Sequence, residues 1–322
     1  MKFTAFLFLS FGLALAPAFA IDREPAESPY QQWLTGFDDH SFKFVSGIAV
    51  NVSQQVIVLD NTGQNLKEVT PGNEGSKTVM VKVFSRHGVL ERQFIPLGVE
   101  GMVYRRQIAV FGNSVFIPFM TYFDKLNTIS GEDVNDWLHF STTNWALDTK
   151  IACDSAGNIY LAQDDAHTIT KFDSAGKKIR SFGGPATFRN FKGLAVGRQD
   201  TLFVTDTDGD QFHNLHKFQS DGTLIRSTRL HTQPGWGLAV NKSTNEVIFP
   251  RIDDSVEIRN AEGDYIARLY PELLKVREMA AHPRGVAVNE YLHGGTVYLV
   301  VSVDGGNEKI VVFKRKPAAK GG

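Results

Sequence analysis

The stretch that decides the fold is KIACDSAGNIYLAQDDAHTITKFDSAGKKIRSFG, residues 150–183. It contains four short runs rich in β-branched, aromatic and aliphatic residues, separated by turns that carry Asp, Ser, Asn or Gly. Runs of this kind predict antiparallel strands joined by hairpins. Because the segment shows little helical periodicity, it predicts one small four-stranded sheet.

The beginning of this stretch recurs along the chain. A phrase of Gly, an aliphatic residue, Ala and Val starts at residues 47, 193, 237 and 285, and weaker copies start at 107 and 150. Successive copies lie about 43–48 residues apart after a first interval of about 60, a period typical of propeller blades. The sequence therefore predicts an all-β fold, a six-bladed β-propeller of four-stranded antiparallel blades.

The two ends of the repeat region predict how the ring closes. The sixth repeat ends at Phe313 without a fourth strand, whereas residues 30–37 before the first repeat look like a surplus fourth strand. We expect this N-terminal strand to complete the last blade, which leaves no open edge between the first and last blades. The predicted domains are an extension over 21–29, the propeller over 30–314 and a flexible tail over 315–322.

The repeats resemble those of the NHL-repeat family of six-bladed β-propellers. The units over 150–183 and 193–227 follow the family pattern almost throughout. The first unit matches at both ends, the fifth and sixth match mainly at the innermost strand, and the second is degenerate beyond Phe119. The resemblance spans residues 33–313. It implies a fold rather than an activity, because this family includes both scaffolds and enzymes.

Composition and charge exclude several classes of protein. Of 322 residues, 42% are hydrophobic and one is Cys, which is ordinary for a globular protein. The 34 Lys and Arg against 35 Asp and Glu give a net charge of -1, so we expect no nucleic-acid binding. We also expect a monomer, and a buried, unreactive thiol at Cys153 in a predicted innermost strand.

The first 20 residues predict export. They combine a basic start, an apolar run and an Ala-Phe-Ala site, so we expect a signal peptide that is cleaved after Ala20. The apolar run is too short for a transmembrane anchor, and no other segment is long and apolar enough to span a membrane. The protein is thus expected to be secreted or periplasmic.

The predicted ligand site lies at the mouth of the central channel. The resemblance to the NHL-repeat family implies that ligands bind over the channel, on the face formed by the loops that lead into the innermost strands. Ser46 stands at the start of the first such strand, and the candidate ligand-binding residues at the others are Arg106, Lys150, Lys192, Trp236 and Arg284. The cations predict attraction of a small anionic or carbonyl-bearing ligand, with the indole available for stacking. The alternative is that each cation pairs with an acidic loop and holds neighbouring blades in register.

One acidic loop is a candidate metal site. Asp206, Asp208 and Asp210 alternate around Gly209, an arrangement that can supply oxygen ligands to Ca²⁺. The spacing is not that of an EF-hand, and the alternative is a solvated acidic loop. His213 and His216 follow the loop but lack an obvious third zinc ligand. No cofactor is therefore certain, and Ca²⁺ is the one candidate.

These patterns predict a binding or scaffolding module for an unidentified protein or small anionic ligand. We expect it to use its upper face and two long loops over 62–77 and 122–136. The competing hypothesis is a divalent-metal hydrolase or lyase with its ion in the channel, similar to the lactonase or peptidyl-hydroxyglycine lyase families. Those families place metal-binding side chains at the innermost strands, and this sequence departs from their pattern there, so catalysis is not the favoured interpretation.

Overall fold

The structure is a computed structural model that describes residues 30–35, 42, 45–61, 79–94, 107–118, 122–127, 138–139, 149–164, 166–208, 212–253, 255–269, 282–288, 298–304 and 309–315. The predicted signal peptide, the extension over 21–29, the long loop over 62–77 and the tail after residue 315 lie outside these ranges. Within them, the chain has no helix long and apolar enough to cross a membrane.

In the described part of the chain, the strands form six four-stranded antiparallel sheets. In chain order the strands are β1 Tyr30–Thr35, β2 Val45–Val50, β3 Val56–Asn61, β4 Val79–Phe84, β5 Leu90–Phe94, β6 Ala109–Phe111, β7 Ser114–Pro118, β8 Tyr122–Asn127, β9 Leu138–His139, β10 Lys150–Cys153, β11 Ile159–Gln163, β12 Thr168–Phe172, β13 Lys178–Gly183, β14 Phe191–Val196, β15 Leu202–Asp208, β16 Phe212–Phe218, β17 Leu224–Leu230, β18 Ala239–Asn241, β19 Glu246–Pro250, β20 Val256–Arg259, β21 Tyr265–Leu269, β22 His282–Val288, β23 Tyr298–Asp304 and β24 Lys309–Arg315. Sheets 1 to 5 are β2–β5, β6–β9, β10–β13, β14–β17 and β18–β21, and sheet 6 has the order β22-β23-β24-β1.

The sheets are arranged around an axis. Each innermost strand contacts that of the next sheet, in the order β2, β6, β10, β14, β18 and β22, and β22 contacts β2. The N-terminal strand closes this ring, because β1 pairs with β24 from Tyr30 opposite Arg315 to Thr35 opposite Val311. The predicted all-β propeller and the predicted role of the N-terminal strand are confirmed.

The core consists of apolar clusters between adjacent sheets. One cluster joins sheets 3 and 4 and includes Ala162, Ile169, Phe188 and Val204. Another joins sheets 4 and 5 and includes Phe203 and residues of β18 and β19. Alternation along each strand directs successive side chains to opposite faces, so each sheet packs against both neighbours.

The repeated glycine of the phrase permits close approach between sheets. A Cβ atom added at Gly193 would lie 2.5 Å from Cβ of Leu238 and 2.8 Å from the carbonyl group of Gly237. The Gly237 N–H also donates a hydrogen bond to the Lys192 carbonyl at 2.8 Å. Glycine is needed at position 193 because sheets 4 and 5 meet there backbone to backbone.

Two expectations need correction. The predicted long loop over 122–136 begins with a strand, since β8 pairs with β7 and β9 then pairs with β8. Tyr122 and Phe123 favour a strand, and the degenerate repeat obscured this signal. Cys153 is partly exposed rather than buried, because the end of β10 borders an open space in the channel.

Candidate functional site

The upper end of the channel, where the innermost strands begin, contains a repeated irregularity. Strands β2, β14 and β22 each shift register by one residue against the next strand, directly before the glycine of the phrase. The extra residues are Ser46, Lys192 and Arg284. Because a bulge re-aims the side chain of its extra residue, these three predicted ring residues occupy equivalent special positions.

The described side chains of this ring are mostly buried. Lys150 is 1% exposed and Lys192 is 7% exposed, whereas Trp236 is half-buried. Arg106 lies outside the described residues, and for Arg284 the structure describes the backbone but not the side chain. A buried ammonium group is held by protein contacts, so the two lysines contribute to packing. Ligand binding by these five residues stays a prediction.

Lys192 and Trp236 form a pair between sheets 4 and 5. The Lys192 ammonium lies 5.1 Å from the centroid of the Trp236 ring, within the range of a cation–π interaction. The backbone hydrogen bond from Gly237 to Lys192 holds the segments that contain these two side chains next to each other. The pair therefore places a partly exposed indole and a cation at the upper end of the channel.

Two aspartates, one near the end of β15 and one directly after β11, cap the loop that leads into β14. Asp206 accepts hydrogen bonds from the backbone N–H groups of Arg189 at 3.1 Å and Asn190 at 2.8 Å. Asp164 of sheet 3 accepts one from the N–H of Phe191 at 2.7 Å. Burial raises the pKa of Asp206 above its ordinary value, and the backbone hydrogen bonds partly offset this. These carboxylates fix a loop conformation.

The candidate calcium site is only partly described. Asp206 is 2% exposed, Asp208 is exposed, and Asp210 lies outside the described residues. Among the residues that the structure describes, no group of three or more His, Cys, Asp or Glu side chains is arranged to hold a metal ion. Binding of Ca²⁺ by this loop stays a prediction.

The two histidines after this loop are buried and bonded to hydroxyl groups. Nδ1 of His213 lies 2.8 Å from Oγ1 of Thr207, and Nδ1 of His216 lies 2.7 Å from Oγ of Ser227. The His216 ring also makes an edge contact with Phe188, at 5.5 Å between centroids. Burial lowers the pKa of His216 to about 4, so the imidazole is neutral at pH 7.

Sequence reasoning missed a buried charge cluster in sheet 5. Arg251 Nη1 donates to Glu257 Oε2 at 2.8 Å, and Arg259 donates to the other oxygen of the same carboxylate at 2.5 Å. All three side chains are 5% exposed or less. Arg259 also donates to the Gly263 carbonyl at 2.7 Å. The signal was the charged pattern of β20, where Glu257 and Arg259 alternate with apolar residues that face the other side.

The lower half of the channel contains a cavity of about 380 Å³. Its walls come from the innermost strands of sheets 1 to 5, at the aliphatic, Ala and Val positions of the repeated phrase. Its mouth lies at the turns that follow these strands, where Val52, Gly112, Ser155 and Lys242 line it. This volume is within the range of small-molecule sites.

Gln107 bridges the channel and also lines the cavity. Its side-chain nitrogen donates to the carbonyl oxygens of Leu194 and, at 3.2 Å, of Leu238. Its side-chain oxygen accepts a hydrogen bond from the Leu194 N–H at 3.1 Å. A residue of sheet 2 thus reaches sheets 4 and 5. Gln107 was visible in the sequence only as a departure from glycine at the first position of the phrase.

Comparisons with known proteins show the fold. No family model matches the chain, and no curated protein matches it. Among solved structures, a streptogramin B lyase is similar, with a TM-score of 0.55 and 12% identity over 90% of this chain and 88% of that chain. A catalytically inactive histidine-to-alanine variant of virginiamycin B lyase from Staphylococcus aureus, solved with quinupristin, gives a TM-score of 0.54 and 12% identity over 88% and 98% of the two chains. Raptor from Chaetomium thermophilum gives 0.55 and 9% over 90% of this chain and 29% of that chain. At these identities the likeness concerns the β-propeller fold alone.

Proposed function

We propose that the protein is an exported six-bladed propeller of the NHL type that serves as a binding or scaffolding module. Each four-stranded sheet is one blade, which the repeated phrase and the ring of contacts between innermost strands support. The apolar run within residues 1–20 supports export. The near-zero net charge supports a partner other than nucleic acid.

The observation that carries the binding role is the pair of Trp236 and Lys192 at the upper end of the channel. The indole is half-buried, so part of its surface remains accessible beside the ammonium group. A planar anionic group can stack on the exposed part of the ring while its charge lies near Lys192. The ligand class is therefore a small aromatic anion or an anionic side chain of a partner.

The test is titration of the mature chain with 1-naphthoate, measured by calorimetry. We expect binding that Trp236→Ala abolishes and Lys192→Met weakens at least about fivefold, since a cation–π and charge contact of about 1 kcal/mol corresponds to that factor. Lys217→Met is the matched control, because its ammonium lies 5.8 Å from the Phe203 ring and away from the channel. No binding to the wild-type protein, or binding that Trp236→Ala leaves unchanged, contradicts the proposal.

A second candidate function is a divalent-metal-dependent lyase or hydrolase. The fold likeness to streptogramin B lyases suggests the experiment, although 12% identity carries no activity across. Mature protein is incubated with quinupristin in Mg²⁺ or Ca²⁺, and its metal content and melting temperature are measured with and without EDTA. Turnover that EDTA abolishes favours the enzyme. The absence of turnover, bound metal and any EDTA effect favours the binding module.

A further inference from the structure

The Gln107 side chain shows how the channel binds a carboxamide. The backbone N–H and C=O of Leu194 point into the channel, and both bond to the same amide group. The Leu238 carbonyl accepts a second hydrogen bond from the amide nitrogen at 3.2 Å. The chain therefore supplies its own example of a primary amide held by the inner edge of β14 and by the residue that directly precedes β18.

The same backbone arrangement repeats two residues further along both strands. In an antiparallel ladder, residues alternate between bonding to the neighbouring strand and pointing away from it. The Gly197 N–H donates a hydrogen bond across to the Thr201 carbonyl at 2.7 Å. The backbone N–H and C=O of Val196 therefore point the other way, into the channel, as those of Leu194 do. The same alternation directs the backbone N–H and C=O of Val240 into the channel, two residues after Leu238. This second rung lies about 6.7 Å below the first.

The second rung is the wall of the lower cavity. Val196, Val240 and Gln107 all line it. The charged side chains in the described lining are one cation, Lys242, and one carboxylate, Asp154. Asp154 is 3% exposed and bonds to its own turn, accepting from the N–H groups of Ala156 and Asn158. The lining therefore favours a neutral molecule with a small apolar body.

We propose that the lower cavity is a binding site for a small neutral primary carboxamide. The amide nitrogen donates to the carbonyl oxygens of Val196 and Val240, and the amide oxygen accepts from the Val196 N–H, as Gln107 does one rung above. The apolar body packs among the Ala and Val side chains of the phrase. The described lining of this site does not include Lys192 or Trp236 of the upper mouth.

Cys153 reports directly on occupancy of this cavity. It is the single cysteine of the chain, it is partly exposed, and it lines the cavity. A ligand that fills the cavity blocks access of a thiol reagent, so the rate of modification falls by the factor 1 + [ligand]/Kd. The reagent of choice is methyl methanethiosulfonate, which is small enough to enter.

The first experiment compares three matched probes on the mature full-length chain. We expect benzamide to bind with a Kd of about 1 mM, typical of a ligand of this size, and to slow modification of Cys153. N,N-dimethylbenzamide has no N–H, and benzoate places oxygen against the two carbonyls, so neither should protect the thiol. The same result is expected in Trp236→Ala, which removes the proposed upper site and separates the two proposals.

The second experiment is chemical rescue of Gln107→Ala. The variant leaves the backbone groups of Leu194 and Leu238 without the side-chain amide of Gln107 that they bind. Free propionamide reproduces that missing group. We expect a lowered melting temperature that propionamide raises more in the variant than in the wild type, with no such difference for propionate. If the variant does not fold, the benzamide experiment on the wild type decides. Absence of protection by saturating benzamide, or equal protection by N,N-dimethylbenzamide, overturns the proposal.

Discussion

Sheets 3 and 4 are built from the same repeat but stabilise their shared pattern differently. Tyr160 in β11 and Phe203 in β15 occupy the same place, and each lies opposite a lysine of the next strand. The ammonium of Lys171 lies 4.8 Å from the centre of the Tyr160 ring, and that of Lys217 lies 5.8 Å from the Phe203 ring. The two sheets therefore share the same backbone arrangement and the same contact between a lysine ammonium and an aromatic ring.

The two lysines differ in their acidic partners. Lys171 contacts Asp154 at 3.2 Å, and that carboxylate is 2% exposed. Lys217 contacts Glu262 of sheet 5 at 3.7 Å, and that carboxylate is 54% exposed. Water screens the second pair strongly and the first hardly at all. The same frame therefore supports a structural ion pair in one sheet and a weak surface pair in the next.

The largest expected effect comes from removing the buried partner. Asp154→Ala leaves the Lys171 ammonium largely buried without its carboxylate and removes the acceptor of two turn N–H groups. Loss of one partner of a buried pair costs about 3 kcal/mol or more. We expect the free energy of unfolding, measured by urea denaturation with a constant slope, to fall by that amount.

Glu262→Gln is the matched control for this substitution. It removes the partner of the equivalent lysine, but from an exposed pair, so we expect a change of at most about 0.5 kcal/mol. Equal effects of the two substitutions would contradict the distinction between the sheets.

A second difference between the sheets predicts acid sensitivity. At equivalent positions, Thr170 of sheet 3 lies 2.9 Å from the Ser181 hydroxyl, and His216 of sheet 4 lies 2.7 Å from the Ser227 hydroxyl. Burial lowers the pKa of His216 from 6.5 to about 4. The folded protein therefore binds a proton less readily than the unfolded chain, so stability is lost as pH falls from 6.5 towards 4 and is complete above 6.5.

His216→Thr gives sheet 4 the pair that sheet 3 already has. We expect the wild-type protein to lose about 2 kcal/mol from this group between pH 7 and pH 5, and the variant to lack that component. The measurement is urea denaturation of both proteins at several pH values. Identical pH profiles would show that His216 does not titrate as its burial indicates.

The sequence was sufficient for the features that repeat. The glycine phrase predicted where innermost strands begin, and the surplus strand at Trp33 predicted the closing contact with β24. These features follow from local spacing and from the need to cover sheet edges. Gly193 belongs to the same repeat, where close packing of two backbones demands the absence of a side chain.

The sequence was insufficient where a residue departs from the repeat and finds a partner far along the chain. Gln107 bonds to Leu194 and Leu238 across the channel, and nothing near it in sequence indicates that contact. The Arg251–Glu257 pair is closer in sequence, six residues apart, but its charges are equally compatible with solvent exposure. Side-chain partners depend on the three-dimensional arrangement, which the repeat pattern does not encode.

The last expected effect isolates the hydroxyl that distinguishes Tyr160 from Phe203. The Tyr160 hydroxyl lies 3.3 Å from Asp154 Oδ2 and 3.1 Å from the Ser220 carbonyl, and burial raises its pKa so that it stays a donor. Tyr160→Phe should lower the free energy of unfolding by about 1 kcal/mol, the net value of such a hydrogen bond. The reverse change, Phe203→Tyr, should cost at least as much, since it adds a hydroxyl to a side chain that is 0% exposed. If Phe203→Tyr left the free energy of unfolding unchanged in urea denaturation, sheet 4 would also contain an acceptor for the added hydroxyl. The two sheets would then differ at this position only in which aromatic residue they carry, and not in the hydrogen bonds that they can offer it.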